Sequence, residues 1–203
     1  LGEFQKAISC YQKAIEIQPN HADAHNNLGT TFKELGENEK SIKYYQIAIE
    51  IQPNNADAHN NLGTAFKELK EYKKSIYYYD KTIQINPNSP TAYSNLGNTY
   101  RGLGEYEKAI SWHQKAIQIN SEYVYAYYNL GTVFEKLNEF EKAISYYSKS
   151  LDHRPYNLET IWAKNELSRE NIDVNLKKKI DLVMKSKNPT NKDMAYGNFL
   201  YAK

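Results

Sequence analysis

Four asparagines, Asn27, Asn61, Asn95 and Asn129, stand 34 residues apart, and each is followed by Leu-Gly. A carboxamide both donates and accepts hydrogen bonds, so each can pair with the N–H and C=O of a peptide unit together. Other polar side chains recur beside them. Asn26, Asn60, Ser94 and Tyr128 come one residue earlier, and Thr30, Thr64, Asn98 and Thr132 three residues later. Six residues after the first three asparagines come Lys33, Lys67 and Arg101, whose neighbours Glu34 and Glu68 suit an ordinary solvated face; the competing reading is a basic edge for an acidic ligand. Tyr123, Tyr125, Tyr127 and Tyr128 cluster late in the chain, and rings with a polar tip are favoured interface anchors. This is recognition chemistry, and the signals for catalysis are missing. His25 and His59 repeat one position 34 residues apart, whereas zinc ligands must converge. No phosphate loop, nucleophile elbow or paired-carboxylate motif is present. Cys10, beside Tyr11, reads as a packing thiol. The segment is therefore expected to be non-catalytic, with no cofactor and no metal.

Composition narrows the partners. The 203 residues carry a net charge of +2, which gives no reason to expect a nucleic acid. The run Lys177–Lys179 fits the wet face of a helix. A single cysteine excludes an internal disulfide framework. No apolar stretch approaches the roughly 18–20 residues of a membrane span. No signal peptide is visible, and the compartment stays open with the cytoplasm favoured. Residue 1 is Leu, so the natural N-terminus is expected upstream.

The elements that must carry these side chains follow from the period. Residues 22–55 and 56–89 are identical at about two-thirds of positions, and 90–123 and 124–157 continue the register. Each copy reads as two helices. Leu28, Phe32 and Leu35 share one face of the first. Ser41, Ile42, Tyr45, Ala48 and Ile49 share one face of the second. Gly36, Gly104 and Asn138 tolerate the left-handed conformation that ends a helix, and Lys70 at the same place predicts a slightly strained turn. Pro53 and Pro87 stop the second helix. Beyond Asn157 the period fades into three helices, over Leu158–Arg169, over Val174–Lys185 and from a Thr190/Asp193 capping box to Lys203.

Leu28, Gly29, Phe32, Ser41, Tyr45, Ala48 and Pro53 occupy the signature positions of the tetratricopeptide repeat (TPR), and the set recurs. Leu62, Gly63, Phe66, Ser75, Tyr79, Thr82 and Pro87 form the next, followed by Leu96, Gly97, Tyr100, Ala109, His113 and Ala116. Leu130, Gly131, Phe134, Ala143, Tyr147, Ser150 and Pro155 form the last. Departures are His25, His59, Tyr93 and Tyr127 where the family often has Trp, and Ser121 for the closing proline. The resemblance implies an all-α, right-handed superhelical solenoid. Residues 1–21 would be the second helix of a truncated repeat, 22–157 four complete repeats, and 158–203 capping or linker helices that continue further. The glycine, costing roughly 1 kcal/mol inside a helix, would admit a neighbouring helix.

In such a solenoid the first helices line a concave groove. The resemblance then implies a protein or peptide ligand there, held by Asn27, Asn61, Asn95 and Asn129, with Asn26, Asn60, Thr30, Thr64, Asn98, Thr132, Tyr125 and Tyr128 as further candidates. The array resembles the asparagine ladder of the O-GlcNAc transferase superhelix. Asparagine is also part of the common repeat consensus, so a solvated structural residue is the competing reading. Asp23 and Asp57 stand where cochaperone repeats that bind acidic C-termini carry cations, which argues against that clamp. Residues 194–203 resemble the helix that follows the repeats in TPR–sulfotransferase proteins, which would make this chain the recruiting arm of a larger transferase. Self-association through the solenoid ends is a third reading.

Overall fold

The computed structural model describes residues 2–168, 174–186 and 189–201. They form twelve helices: α1 (Gly2–Ile17), α2 (Ala22–Glu34), α3 (Asn38–Ile51), α4 (Ala56–Glu68), α5 (Tyr72–Ile85), α6 (Pro90–Gly102), α7 (Tyr106–Ile119), α8 (Val124–Lys136), α9 (Phe140–His153), α10 (Leu158–Ser168), α11 (Val174–Met184) and α12 (Asn191–Tyr201). Arg169 and the pair Ala202 and Lys203, over which the sequence extends α10 and α12, lie outside the described residues.

Local chemistry explains where the helices begin and end. Asn55 and Ser89 cap α4 and α6 by accepting from the backbone N–H of Ala58 and Ala92, at 2.9 and 3.3 Å. His21 does the same for α2 through Nδ1, 3.3 Å from the N of Ala24. At the other end, Gly36 and Gly104 turn with φ of 77° and 78°, and Lys70 and Asn138 with φ of 59°. The bonds Glu37 N–H to Phe32 O and Gly36 N–H to Lys33 O, both 2.9 Å, close the Schellman pattern that needs this backbone. Lys70 thus takes the conformation a glycine takes elsewhere. Glu37, Glu71, Glu105 and Glu139 then pair with Lys40, Lys74, Lys108 and Lys142. Each lysine also lies about one ring-width, 4.9–5.3 Å, over the centroid of Phe32, Phe66, Tyr100 or Phe134. The capping box expected before the last helix is present: Thr190 Oγ1 donates to Asp193 Oδ2 at 2.7 Å, and the Asp193 N–H returns to Thr190 Oγ1 at 3.0 Å.

The chain divides into two compact units, residues 1–112 and 113–203. In the first, α2 packs on α3 and α4 on α5, with α3 against α4, α5 against α6 and α1 against α2. Leu28, Leu62, Leu96, Tyr45 and Tyr79 are completely buried. The glycine of the repeated phrase is the seat of the tyrosine. A Cβ on Gly29 would stand 2.8 Å from two ring carbons of Tyr45, and one on Gly63 2.9 Å from Tyr79. Cys10 corrects the sequence reading: it is exposed. Ile8, Tyr11 and Ile15 form the face of α1 that meets Leu28 and Phe32, and Cys10 lies about 200° around the helix from Ile8.

The second unit repeats the theme and then departs from it. Gly131 abuts the Tyr147 ring, with Leu130 and Ala143 completely buried. Leu158, Ile161, Ile180 and Leu200 then bring α10, α11 and α12 into one apolar cluster, joined at its edge by Trp162, Val183 and Met184. Gly197 receives the Met184 side chain there.

Candidate functional site

In the first unit α2 neighbours α4, and α4 neighbours α6, so the asparagine-bearing helices stand side by side. Asn61 donates from Nδ2 to Asn26 Oδ1 at 3.0 Å, and Asn95 donates to Asn60 Oδ1 at the same distance. Adjacent asparagines on one helix therefore serve opposite neighbours: Asn60 accepts from α6 while Asn61 donates to α2. Each donating carboxamide spends one N–H. Its oxygen and its second N–H have no partner among the described residues, and both Asn61 and Asn95 are half-exposed. Asn27 is exposed.

The threonines predicted beside them are engaged internally. Thr30 Oγ1 donates to the Asn26 carbonyl at 3.2 Å and accepts from the Tyr45 hydroxyl at 3.2 Å. Thr64 donates to the Asn60 carbonyl at 3.0 Å and lies 2.9 Å from the Tyr79 hydroxyl. These contacts satisfy the one polar atom of each buried tyrosine. Burial pushes the Tyr79 phenol up to about 12, against the hydrogen bonds from Thr64 and Ser75. Asn98 keeps an enclosed Oδ1 with no hydrogen-bond partner among the described residues. Asn55 and Asp23 form a tie that the sequence reading missed. While capping α4, Asn55 also donates from Nδ2 to Asp23 Oδ1 at 3.3 Å. The signal was an N-cap asparagine 32 residues after an aspartate in the first turn of the preceding asparagine-bearing helix.

The basic residues lie on the same three helices. Lys33 Nζ is 3.7 Å from Glu68 Oε1. Burial lowers the Lys67 pKa, Glu68 opposes that shift, and the charges of Lys33 and Arg101 reinforce it. His25 and His59 are packing residues, each 6% exposed. Each donates from Nε2 to a proline carbonyl, Pro19 or Pro53, at 2.9 Å, and lies 6.0 Å from a tyrosine ring.

In the second unit Asn129 is half-exposed, and its carbonyl accepts from Thr132 Oγ1 at 2.8 Å. The two candidate tyrosines have different partners. Tyr128 donates to Glu159 Oε1 at 3.2 Å, an oxygen that Tyr196 of α12 also reaches at 3.3 Å. Tyr125 is 52% exposed and lies beneath the Arg154 guanidinium, 5.1 Å from its ring centroid, with Arg154 Nη1 donating to its hydroxyl at 3.2 Å. Tyr128 is thus tied to Glu159 of α10, and Tyr125 remains open to solvent. No helix among the described residues is long and apolar enough to cross a membrane. Among the same residues no His, Cys, Asp and Glu side chains group as metal ligands.

Comparison with known proteins agrees with this architecture. A family model described as tetratricopeptide repeat matches residues 54–122 and 88–155, and one described as TPR repeat matches 1–36 and 30–70. No curated protein matches the sequence. Among solved structures, MamA is 27% identical with a TM-score of 0.66, over 78% of this chain and 92% of that one. A thermophilic TPR protein in Thermus thermophilus is 17% identical with a TM-score of 0.74, over 84% and 93% of the respective chains. YrrB, a TPR protein with an unusual peptide-binding site, is 18% identical with a TM-score of 0.60, over 95% and 98%.

Proposed function

The chain belongs to the tetratricopeptide repeat family, whose fold is consistent with protein–protein interaction, and from that premise we propose that it binds an extended peptide along the asparagine-bearing helices. One observation carries the reading. The bonds from Asn61 to Asn26 and from Asn95 to Asn60 fix the donating carboxamides and leave each with one N–H and one oxygen to offer. A peptide unit presents the complementary pair. Neighbouring helices pack about 8–10 Å apart, close to the ~9 Å turn of a polyproline-II strand, whose backbone groups face the same way at every third residue, so successive amides meet every third peptide unit. Fixing the amides beforehand lowers the ordering cost of binding. YrrB, with its peptide-binding site, offers a precedent on a similar fold.

Recognition of this kind reads backbone more than side chains. Peptides selected from a displayed random library on this chain supply the probe. Replacing Asn61 and Asn95 together by Ala is expected to weaken a selected peptide about tenfold or more, from roughly 1 kcal/mol per hydrogen bond, as read by fluorescence anisotropy. Methylating the peptide's backbone nitrogens should weaken it comparably. Unchanged affinity of a correctly folded double variant, judged by its circular dichroism, rejects the proposal. A catalytic domain elsewhere in a larger transferase, which this chain would serve as recruiting arm, is the second reading; sequencing the gene beyond codon 203 decides it.

A further inference from the structure

Lys33, Lys67 and Arg101 occupy one position on three neighbouring helices, α2, α4 and α6. All three are half-buried. Glu34 and Glu68 follow the two lysines in sequence. Glu68 is directed to Lys33, at 3.7 Å. Lys67, between the other two cations, has no carboxylate within 4.0 Å among the described residues. Burial acts most strongly against its ammonium; the charge of Glu68 opposes that, and the charges of Lys33 and Arg101 reinforce it. A partly desolvated cation flanked by like charges is an unfavourable arrangement that an incoming anion relieves.

The column also stands in register with the amides. Each cation follows its asparagine by six residues on the same helix, about 9 Å along the axis and about 120° around it, so the two rows run as separate parallel lines across α2, α4 and α6. A polyproline-II strand crossing the helices along the amides would present one set of side chains towards the cations at the same interval, about every third residue. Arg101 adds a planar fork suited to a carboxylate.

We propose that this face takes an acidic segment in the polyproline-II conformation, with Asp or Glu at every third residue meeting Lys33, Lys67 and Arg101. The inference rests on the peptide-binding reading above and supplies the side-chain specificity that backbone pairing lacks. A polypeptide is favoured over a nucleic acid by the low net charge of +2 and by amides matched to peptide groups.

The test uses the chain with a fluorescein-labelled peptide bearing Glu at every third residue in an Ala/Ser background. Controls are the same peptide with Gln for Glu, one with the same number of Glu at every second residue, and an oligothymidylate of equal length. The Glu peptide is expected to bind about tenfold more tightly than the Gln peptide, with the difference shrinking as salt rises. Lys67→Gln should remove that preference and Lys67→Arg restore it, with thermal melts confirming that both variants fold. Equal binding of the Glu and Gln peptides, equal binding of the every-second-residue peptide, tighter binding of the oligonucleotide, or no peptide binding overturns the proposal. If Glu and Gln peptides bind alike and Asn61→Ala/Asn95→Ala abolishes both, the amide reading stands and the acidic one falls. If the charge preference and the affinity both survive that double substitution, the acidic column stands without the amides.

Discussion

Gly63 shows how one missing side chain decides the packing of a helix pair. A methyl group there would meet the Tyr79 ring at 2.9 Å, and the ring is completely buried. Gly63→Ala gains helix propensity but forces the two helices apart, and overpacking of this kind costs about 1–3 kcal/mol. Urea unfolding is expected to show that loss as a lower midpoint. Gly2, which has nothing within 4 Å of its Cβ position, is the matched control and should tolerate Ala. The glycine's role was legible because a helix breaker repeated at a fixed interval needs a packing reason. The tyrosine that fills the space was legible only as a signature residue. The asparagine hydrogen bonds were not legible, because the partner of Asn61 is 35 residues away. Side-chain direction separated Tyr125 from Tyr128, which the register alone had grouped.

At the scale of the element, the turns are the best-predicted feature. Four successive first helices end on a residue with positive φ, and the sequence marks three of them with Gly or Asn. Lys70 is the exception, held at φ 59° by the Schellman bonds of its neighbours. An L-residue with a β-carbon bears about 1 kcal/mol there that glycine does not. Lys70→Gly is therefore expected to stabilise the chain by roughly 0.5–1 kcal/mol, less the larger entropy of an unfolded glycine. A thermal melt that falls on this substitution would show the turn to be held by the lysine side chain instead. The C-terminal helices were legible in outline through Ile180, Leu200 and the Thr190–Asp193 box. Their mutual packing was not, since no period relates them.

For the molecule as a whole, buried tyrosine hydroxyls couple stability to alkaline pH. Tyr79 is raised from 10.0 to about 12 by burial, and Tyr45 is raised for the same leading reason. The unfolded chain ionises these phenols first, so it binds fewer protons than the native state above pH 10. Stability is then fully present below pH 10 and falls as pH rises towards 12, by roughly 3 kcal/mol for Tyr79 alone. Urea midpoints measured from pH 9 to 12 should follow that slope, and Tyr79→Phe should flatten part of it. The expected result is a decline shared by neighbouring helix pairs, because in an array each pair leans on the next.

The amide bonds between successive helices have a bearing on how such a chain lengthens. Residues 56–89 carry an acceptor, Asn60, for the helix after them and a donor, Asn61, for the helix before. Any tandem duplication of that stretch would bring both halves of the joint with it. The new copy could dock on the old without a further mutation, as a brick moulded with its own tongue and groove. Growth by gene duplication would then extend the chain and its row of half-exposed amides in a single step.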